Sequence, residues 1–231
     1  MDDRRKHFLL LQVNDSLFPI GAYSHSYGLE TYIQKDLVRT ADDAAAFIRS
    51  RMLYGFCYNE FLSARLAWEA ASHDDQDELE RLEDLLDASR IPRETREAGR
   101  KLGSRFVKTV QGMDIPYESG IFLWYCDSRR GSFVSHPVVY GAFCAAVGIS
   151  CGDAMENYLY AQASSMVTNC VKTIPLSQTA GQHILYECQS TFREILEKLD
   201  TLTEDDLCRS APGFDVRCMQ HEGLYSRIYM S

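Results

Sequence analysis

The stretch Met155-Glu-Asn-Tyr-Leu159-Tyr-Ala-Gln162-Ala-Ser-Ser-Met166-Val167-Thr-Asn-Cys170-Val171, followed by Pro175 and by Ile184-Leu-Tyr-Glu-Cys188-Gln-Ser-Thr-Phe192-Arg-Glu-Ile195-Leu-Glu-Lys-Leu199, decides the fold class. Met155, Leu159, Gln162, Met166 and Cys170 recur at steps of three and four, with Val167 and Val171 beside them. Ile184, Cys188, Phe192, Ile195 and Leu199 repeat the pattern. That is the spacing at which side chains stack on one face of an α-helix, and it predicts two amphipathic helices. Pro175 lacks an N–H and fixes the bend between them.

Working outward, helix starts recur and strand signals are weak. Thr40-Ala-Asp-Asp43 reads as a capping box opening a long helix to about residue 72. Its side-chain oxygen can accept from a free N–H, and its acids sit at the positive end of the helix dipole. Ser72-His-Asp-Asp75 and Ser150-Cys-Gly-Asp153 repeat the device, and Pro92 suits the first turn of another helix. No Asn-Gly-type dipeptide separates two alternating runs. The segment 133–152 carries no acid or base, but Ser135, His136, Pro137 and three glycines interrupt it, so it reads as a buried core helix rather than a membrane span. The acid-rich segment 72–90 has only Leu79, Leu82 and Leu86 as an apolar stripe and predicts a peripheral helix with a solvated acidic face. The expected architecture is all-α: a single domain over 1–231, a bundle of roughly eight to ten helices. Residues 1–6 are expected to be loose, and 214–231 to form a partner-binding segment.

Composition excludes some function classes. With 231 residues, 45% of them hydrophobic, the chain can bury a sizeable core. A net charge of -9 argues against nucleic acid and against an anionic membrane surface, both of which favour a basic face. None of the eight cysteines forms a C-x-x-C pair, which fits small buried hydrophobes in a reducing compartment. The charged N-terminus does not resemble a cleavable signal, and the expected location is the cytoplasm. The nucleotide-binding glycine loops, H-E-x-x-H and G-x-S-x-G are absent.

One stretch has no ordinary structural explanation, and a second is unusual, reading either as a contact surface or as a last helix docking on its own core. The first is Leu11-Gln-Val-Asn-Asp15-Ser-Leu-Phe-Pro19-Ile-Gly21-Ala-Tyr23-Ser24-His25-Ser26-Tyr27-Gly-Leu-Glu30, where turn formers break an apolar run and a polar, aromatic cluster follows. His25 suits hydrogen bonding that pins the loop better than metal ligation, because transition-metal sites need three or four donors. The second is the C-terminus, where Leu224, Tyr225, Ile228, Tyr229 and Met230 surround Ser226 and Arg227. Termini are usually polar and loose, whereas aromatics, Met and Arg are enriched at protein contacts. Arg227 could reach into a partner's nucleotide site or organise the tail through its five N–H donors. Lys172 either stabilises the negative end of its helix or marks a docking surface.

Taken together, four pieces resemble the UreF family of urease accessory proteins: Asp15 to Glu30, Lys101-Leu-Gly-Ser-Arg-Phe106, Val171-Lys-Thr-Ile-Pro-Leu-Ser-Gln178 and His221-Glu-Gly-Leu-Tyr-Ser-Arg227. They occur in the family's order over nearly the whole chain. The resemblance implies an all-α homodimer that is not an enzyme and carries no cofactor. It implies binding to UreD (UreH in some organisms) and to the GTPase UreG, so that nickel reaches apo-urease. By the same resemblance Tyr23, Ser24, His25 and Ser26 lie near the UreG docking face. Lys172 and Arg227 serve complex assembly, Tyr225, Ser226 and Tyr229 belong to a segment ordered against UreD/UreH, and Tyr160 sits in the dimer interface. No catalytic or metal-binding residue is implied. A direct nickel carrier, a GTPase activator and a helical enzyme using His25 with Asp15 or Glu30 are the alternatives. The chain departs from many relatives at Gly21-Ala22 and at Tyr23, where they have a second glycine and Phe.

Overall fold

The local chemistry of helix starts organises the chain. In a computed structural model, which describes all residues 1–231, there are ten helices and no strand, counting one continuous helical segment as a single element. They are α1 (Asp3–Val13), α2 (Leu29–Gln34), α3 (41–72), α4 (Gln76–Ser89), α5 (Arg93–Gln111), α6 (Ile121–Ser128), α7 (His136–Ala146), α8 (Cys151–Thr173), α9 (Gln178–Leu199) and α10 (Pro212–His221). The capping box at Thr40 forms in both directions: Asp43 N–H donates to Thr40 Oγ1 at 3.2 Å and Thr40 N–H to Asp43 Oδ2 at 3.0 Å. Ser150 and Ser177 cap α8 and α9 in one direction, their hydroxyls accepting from the N–H groups of Asp153 and Ala180. The long α3 changes its winding on the way: Arg51–Phe61 is π-helical, and Leu62 N–H reaches back to Cys57 O.

Three starts differ from the sequence expectation. Ser72 ends α3 instead of opening a helix, and the cap of α4 is Asp75, whose carboxylate accepts from Glu78 N–H at 3.0 Å. Pro92 stands one place before the first turn of α5, its ψ of 124° being extended. Residues 1–6, expected to be loose, carry the cap and first turn of α1. Asp2 accepts from Arg5 N–H at 2.9 Å, and Glu118 holds both the Met1 amino group and Lys6.

The core is built around α7, which is buried along almost its whole length. It packs on the last part of α3 through small residues. Ala64, Ala67, Ala70 and Ala71 are all buried, and a Cβ on Gly141 would collide with the Ala64 carbonyl oxygen. Only a residue without a side chain lets the two backbones approach that closely. The two predicted stripes point inward: Met155, Leu159, Met166, Cys170, Ile184, Cys188, Ile195 and Leu199 are buried, while Gln162 and Phe192 are half-buried. The α8–α9 pair forms a helix hairpin around the 174–177 link.

The acidic face of α4 is not wholly solvated. Leu79, Leu82 and Leu86 are buried as expected, but so are Glu83 and Asp87. Glu83 accepts from Tyr125 OH at 3.1 Å and from the Ser135 N–H, and Asp87 receives both Nε (2.6 Å) and Nη2 (2.5 Å) of Arg100. A buried acid needs such donors, because an unpaired one costs several kcal/mol.

Candidate partner-docking site

The unusual loop and the unusual tail lie against each other. Between α1 and α2 the chain turns twice in left-handed conformations: Gly21 (φ 83°) opens a short 3-10 turn over Ala22–Ser24, and Gly28 (φ 87°) precedes α2. Glycine occupies that region at little steric cost. After α10 the tail 222–231 folds back over this loop. Met230 N–H donates to Ser24 O at 2.9 Å and Ser26 N–H to Ser231 O at 2.6 Å. Ser26 Oγ adds a bond to the same oxygen at 2.8 Å, and His25 Nδ1 shares a hydrogen bond with Ser231 Oγ at 2.8 Å. The main-chain oxygen of His25 accepts from Asn169 Nδ2 at 2.8 Å, which fastens the loop to α8.

Two carboxylates hold the tail. Glu30, buried on α2, accepts the N–H groups of Ile228 (2.7 Å) and Tyr229 (2.9 Å). Its Oε2 also lies 3.0 Å from His221 Nε2. Glu94, in the first turn of α5, lies 2.6 Å from His221 Nδ1 and 2.7 Å from Arg227 Nη1. His221 is therefore fully buried with a carboxylate on each ring nitrogen. Hydrogen bonds to an ionised group are roughly twice as strong as neutral ones, so this arrangement fixes the tail's path.

Burial first, then the positive charges of Lys101 and Arg105, lowers the His25 pKa to about 4. The ring is buried and occupied by Ser231, so it is not presented as a free ligand or base. Tyr229 is also buried; burial and then the Glu30 charge push its phenol up to about 12, and its hydroxyl has no partner. The residues that face outward are Tyr23, Lys172, Tyr225, Ser226, Arg227, Ile228 and Met230. The Lys172 ammonium stands 6.0 Å from the Tyr23 ring centroid. Ser226 O accepts from Gln34 Nε2 at 2.8 Å, and Tyr225 projects entirely into solvent.

The structure thus brings Tyr23, Ser24, His25, Ser26, Lys172, Arg227 and Tyr229 to one end of the molecule. Tyr160 lies elsewhere, twelve residues before Lys172 on α8, or about 18 Å along a helix axis. It is exposed beside Phe192 (ring centroids 6.5 Å apart) on a groove of about 800 Å³ that also includes Leu185, Tyr186 and Leu196. Sequence reasoning passed over Glu94, a first-turn acid that the helix dipole already explains, and gave no anchoring role to Glu30 or His221. For Glu30 and His221 the available signal was their place inside the quoted motifs; Glu94 lies in none of them. No group of three or more His, Cys, Asp or Glu side chains is arranged to hold a metal ion, all eight cysteines are free, and no helix is long and apolar enough to cross a membrane.

Comparison with known proteins places the chain among urease accessory proteins. The UreF family model matches residues 38–189. The urease accessory protein UreF of Lachnoclostridium phytofermentans is 34% identical over 224 residues, covering 96% of this chain and 97% of that one. The matched family region holds Tyr160 and Lys172 but neither the loop nor the tail, whereas the full-length relative spans nearly everything. The chain belongs to the UreF family of urease accessory proteins.

Proposed function

We propose that this chain is a maturation scaffold, a homodimer in the cytoplasm that bridges UreD/UreH and the GTPase UreG so that nickel is inserted into apo-urease. The observation that carries the reading is the tail clamped by Glu30 and Glu94. It leaves Tyr225, Ile228 and Met230 exposed, with Met230 bonded to the loop that carries Tyr23 beside Lys172, and so joins both unusual stretches in one partly apolar, partly basic region. Exposed aromatics with Met and cations are what a partner-binding patch contains. UreG is assigned to the Tyr23–Lys172–Arg227 side, and UreD/UreH to the tail from Tyr225 onward. The groove at Tyr160 is the dimer contact; a twofold axis there presents each docking patch twice.

Arg227 is engaged with Glu94 inside its own chain, which favours organisation of the tail over insertion into a partner's nucleotide site. The scattered His and Cys side chains favour passage of nickel through the assembled complex over stable storage on this chain. The test is co-elution of the chain with its UreD/UreH and UreG counterparts as one complex. A strict monomer that ignores both would overturn the reading.

A further inference from the structure

A second site lies away from the tail, where the π-helical part of α3 faces the starts of α5 and α10. There a cavity of about 330 Å³ is lined by Arg51, Asn59, Glu60, Arg90, Arg209 and Asp215, with Ile91, Arg209 and Ser210 exposed at its mouth. Its charges are unevenly used. Arg90 is committed to Glu60 at 2.7 Å, and Arg209 pairs with Asp206. Arg51 is more than nine-tenths buried, yet its side chain makes no hydrogen bond and no ion pair, and its Nε is unpartnered. Its guanidinium lies between the rings of Phe56 (5.0 Å) and Phe214 (4.8 Å). Aromatic faces satisfy the plane of a guanidinium, but its N–H groups point outward in that plane and need acceptors. Asp215 feels the Arg51 charge, but it does not reach Arg51 as an ion pair. Burial raises its carboxyl above the ordinary range against the opposing effect of the Arg51 charge.

Two helix starts add to the positive potential. Neither α5 nor α10 has a side-chain cap, and the N–H groups of Arg93, Glu94 and Thr95 have no protein acceptor. Pro92 and Thr95 from one start, and Ala211 and Asp215 from the other, form part of the wall. A π-helical turn wound against a cavity is a common functional device, and here it supplies Arg51, Gly55, Phe56, Asn59 and Glu60 to the lining. Arg90 and Arg209 are each matched by a carboxylate, Glu60 and Asp206, so Arg51 is the one guanidinium of the lining without an ion-pair partner. From the stacked, unpartnered Arg51 beside two uncapped helix starts we infer that this cavity binds a small oxyanion of the phosphate or carboxylate class, with Arg51 as its principal ligand. The bound anion joins α3 to α5 and α10.

The alternative is that Arg51 is only an aromatic staple for α10, and calorimetry on the full chain separates the two. Sodium phosphate and sodium malonate are titrated against sodium chloride at equal ionic strength. The expected result is saturable binding of one anion per chain. Tighter phosphate assigns a phosphate-type ligand and tighter malonate a carboxylate. Arg51→Gln is expected to weaken binding about tenfold or more, and Asp215→Asn to strengthen it by removing the competing carboxylate. Absence of saturable binding of either anion overturns the inference, as does Arg51→Gln binding as tightly as wild type. Should that variant fail to fold, Asp215→Asn decides, and unchanged or weaker binding by it overturns the inference.

Discussion

Glu30 and Tyr229 are joined by a hydrogen bond of 2.9 Å from the tail's main-chain N–H to a buried carboxylate, so the second helix of the fold holds the chain almost two hundred residues later. The same carboxylate takes the Ile228 N–H and faces His221. A glutamine has one acceptor oxygen where the carboxylate has two, and its amide would point N–H groups at N–H groups. Glu30→Gln is therefore expected to cost about 2 kcal/mol, the scale of a hydrogen bond to a charged group left unmade. Hydrogen exchange at Ile228 and Tyr229 should rise well before the core opens. Unchanged protection of both amides would remove Glu30 from its anchoring role.

Arg227 gives a different result because its side chain is partly exposed and its one ion pair, to Glu94, is screened by water. Such pairs contribute about 1 kcal/mol or less. Arg227→Ala is expected to leave the melting temperature nearly unchanged, since His221 still engages Glu94, while recruitment of the UreG counterpart is lost. The measurement is a pull-down with the assembled complex. Retention at the wild-type level would refute the role.

Tyr160 tests the other surface. It stands exposed against Phe192 on a groove that mixes Leu185, Tyr186 and Leu196 with polar and charged side chains. Tyr160→Asp puts a carboxylate where a partner copy would leave it desolvated and unpaired. The monomer should fold as before, and sedimentation should show dissociation at concentrations where wild type is dimeric. A dimer of unaltered stability would move the twofold contact elsewhere.

Much of the fold was legible because it rests on local rules. The stripes at Met155–Cys170 and Ile184–Leu199 and the caps at Thr40 and Ser150 depend on residues within one or two turns, and they formed as read. The Ser72 start failed because two capping-type residues, Ser72 and Asp75, stood within one turn of each other, and the choice between them depends on where α3 ends. The loop and the tail were each conspicuous for composition. Their pairing through Ser24–Met230 and Ser26–Ser231 is a contact across more than two hundred positions, which no periodicity encodes. Glu94 and Glu83 were hidden for a related reason: a helix-borne acid reads as surface until the donor that faces it, from a distant element, is known.

Three buried groups give the stability a defined dependence on pH. Burial lowers the pKa values of His25 and His136 to about 4 from the ordinary 6.5, reinforced by Lys101 and Arg105 in the first case and Arg90 in the second. In both, the unfolded chain takes up a proton that the folded chain refuses, so stability is lost as pH falls from 6.5 towards 4. Burial raises Glu83 to about 7 from 4.5, against the opposing hydrogen bonds from Ser135 and Tyr125. Here the folded chain keeps a proton that the unfolded chain releases, and stability is lost as pH rises through that window. Between 4.5 and 6.5 two histidines oppose one carboxylate, and these three groups together make stability rise with pH. Glu83→Gln should steepen that rise, and His25→Gln should flatten it by leaving His136 and Glu83 to oppose each other. Urea midpoints across this range, taken as differences from wild type, measure both effects. Parallel curves for all three proteins would show that these side chains do not change their protonation on folding.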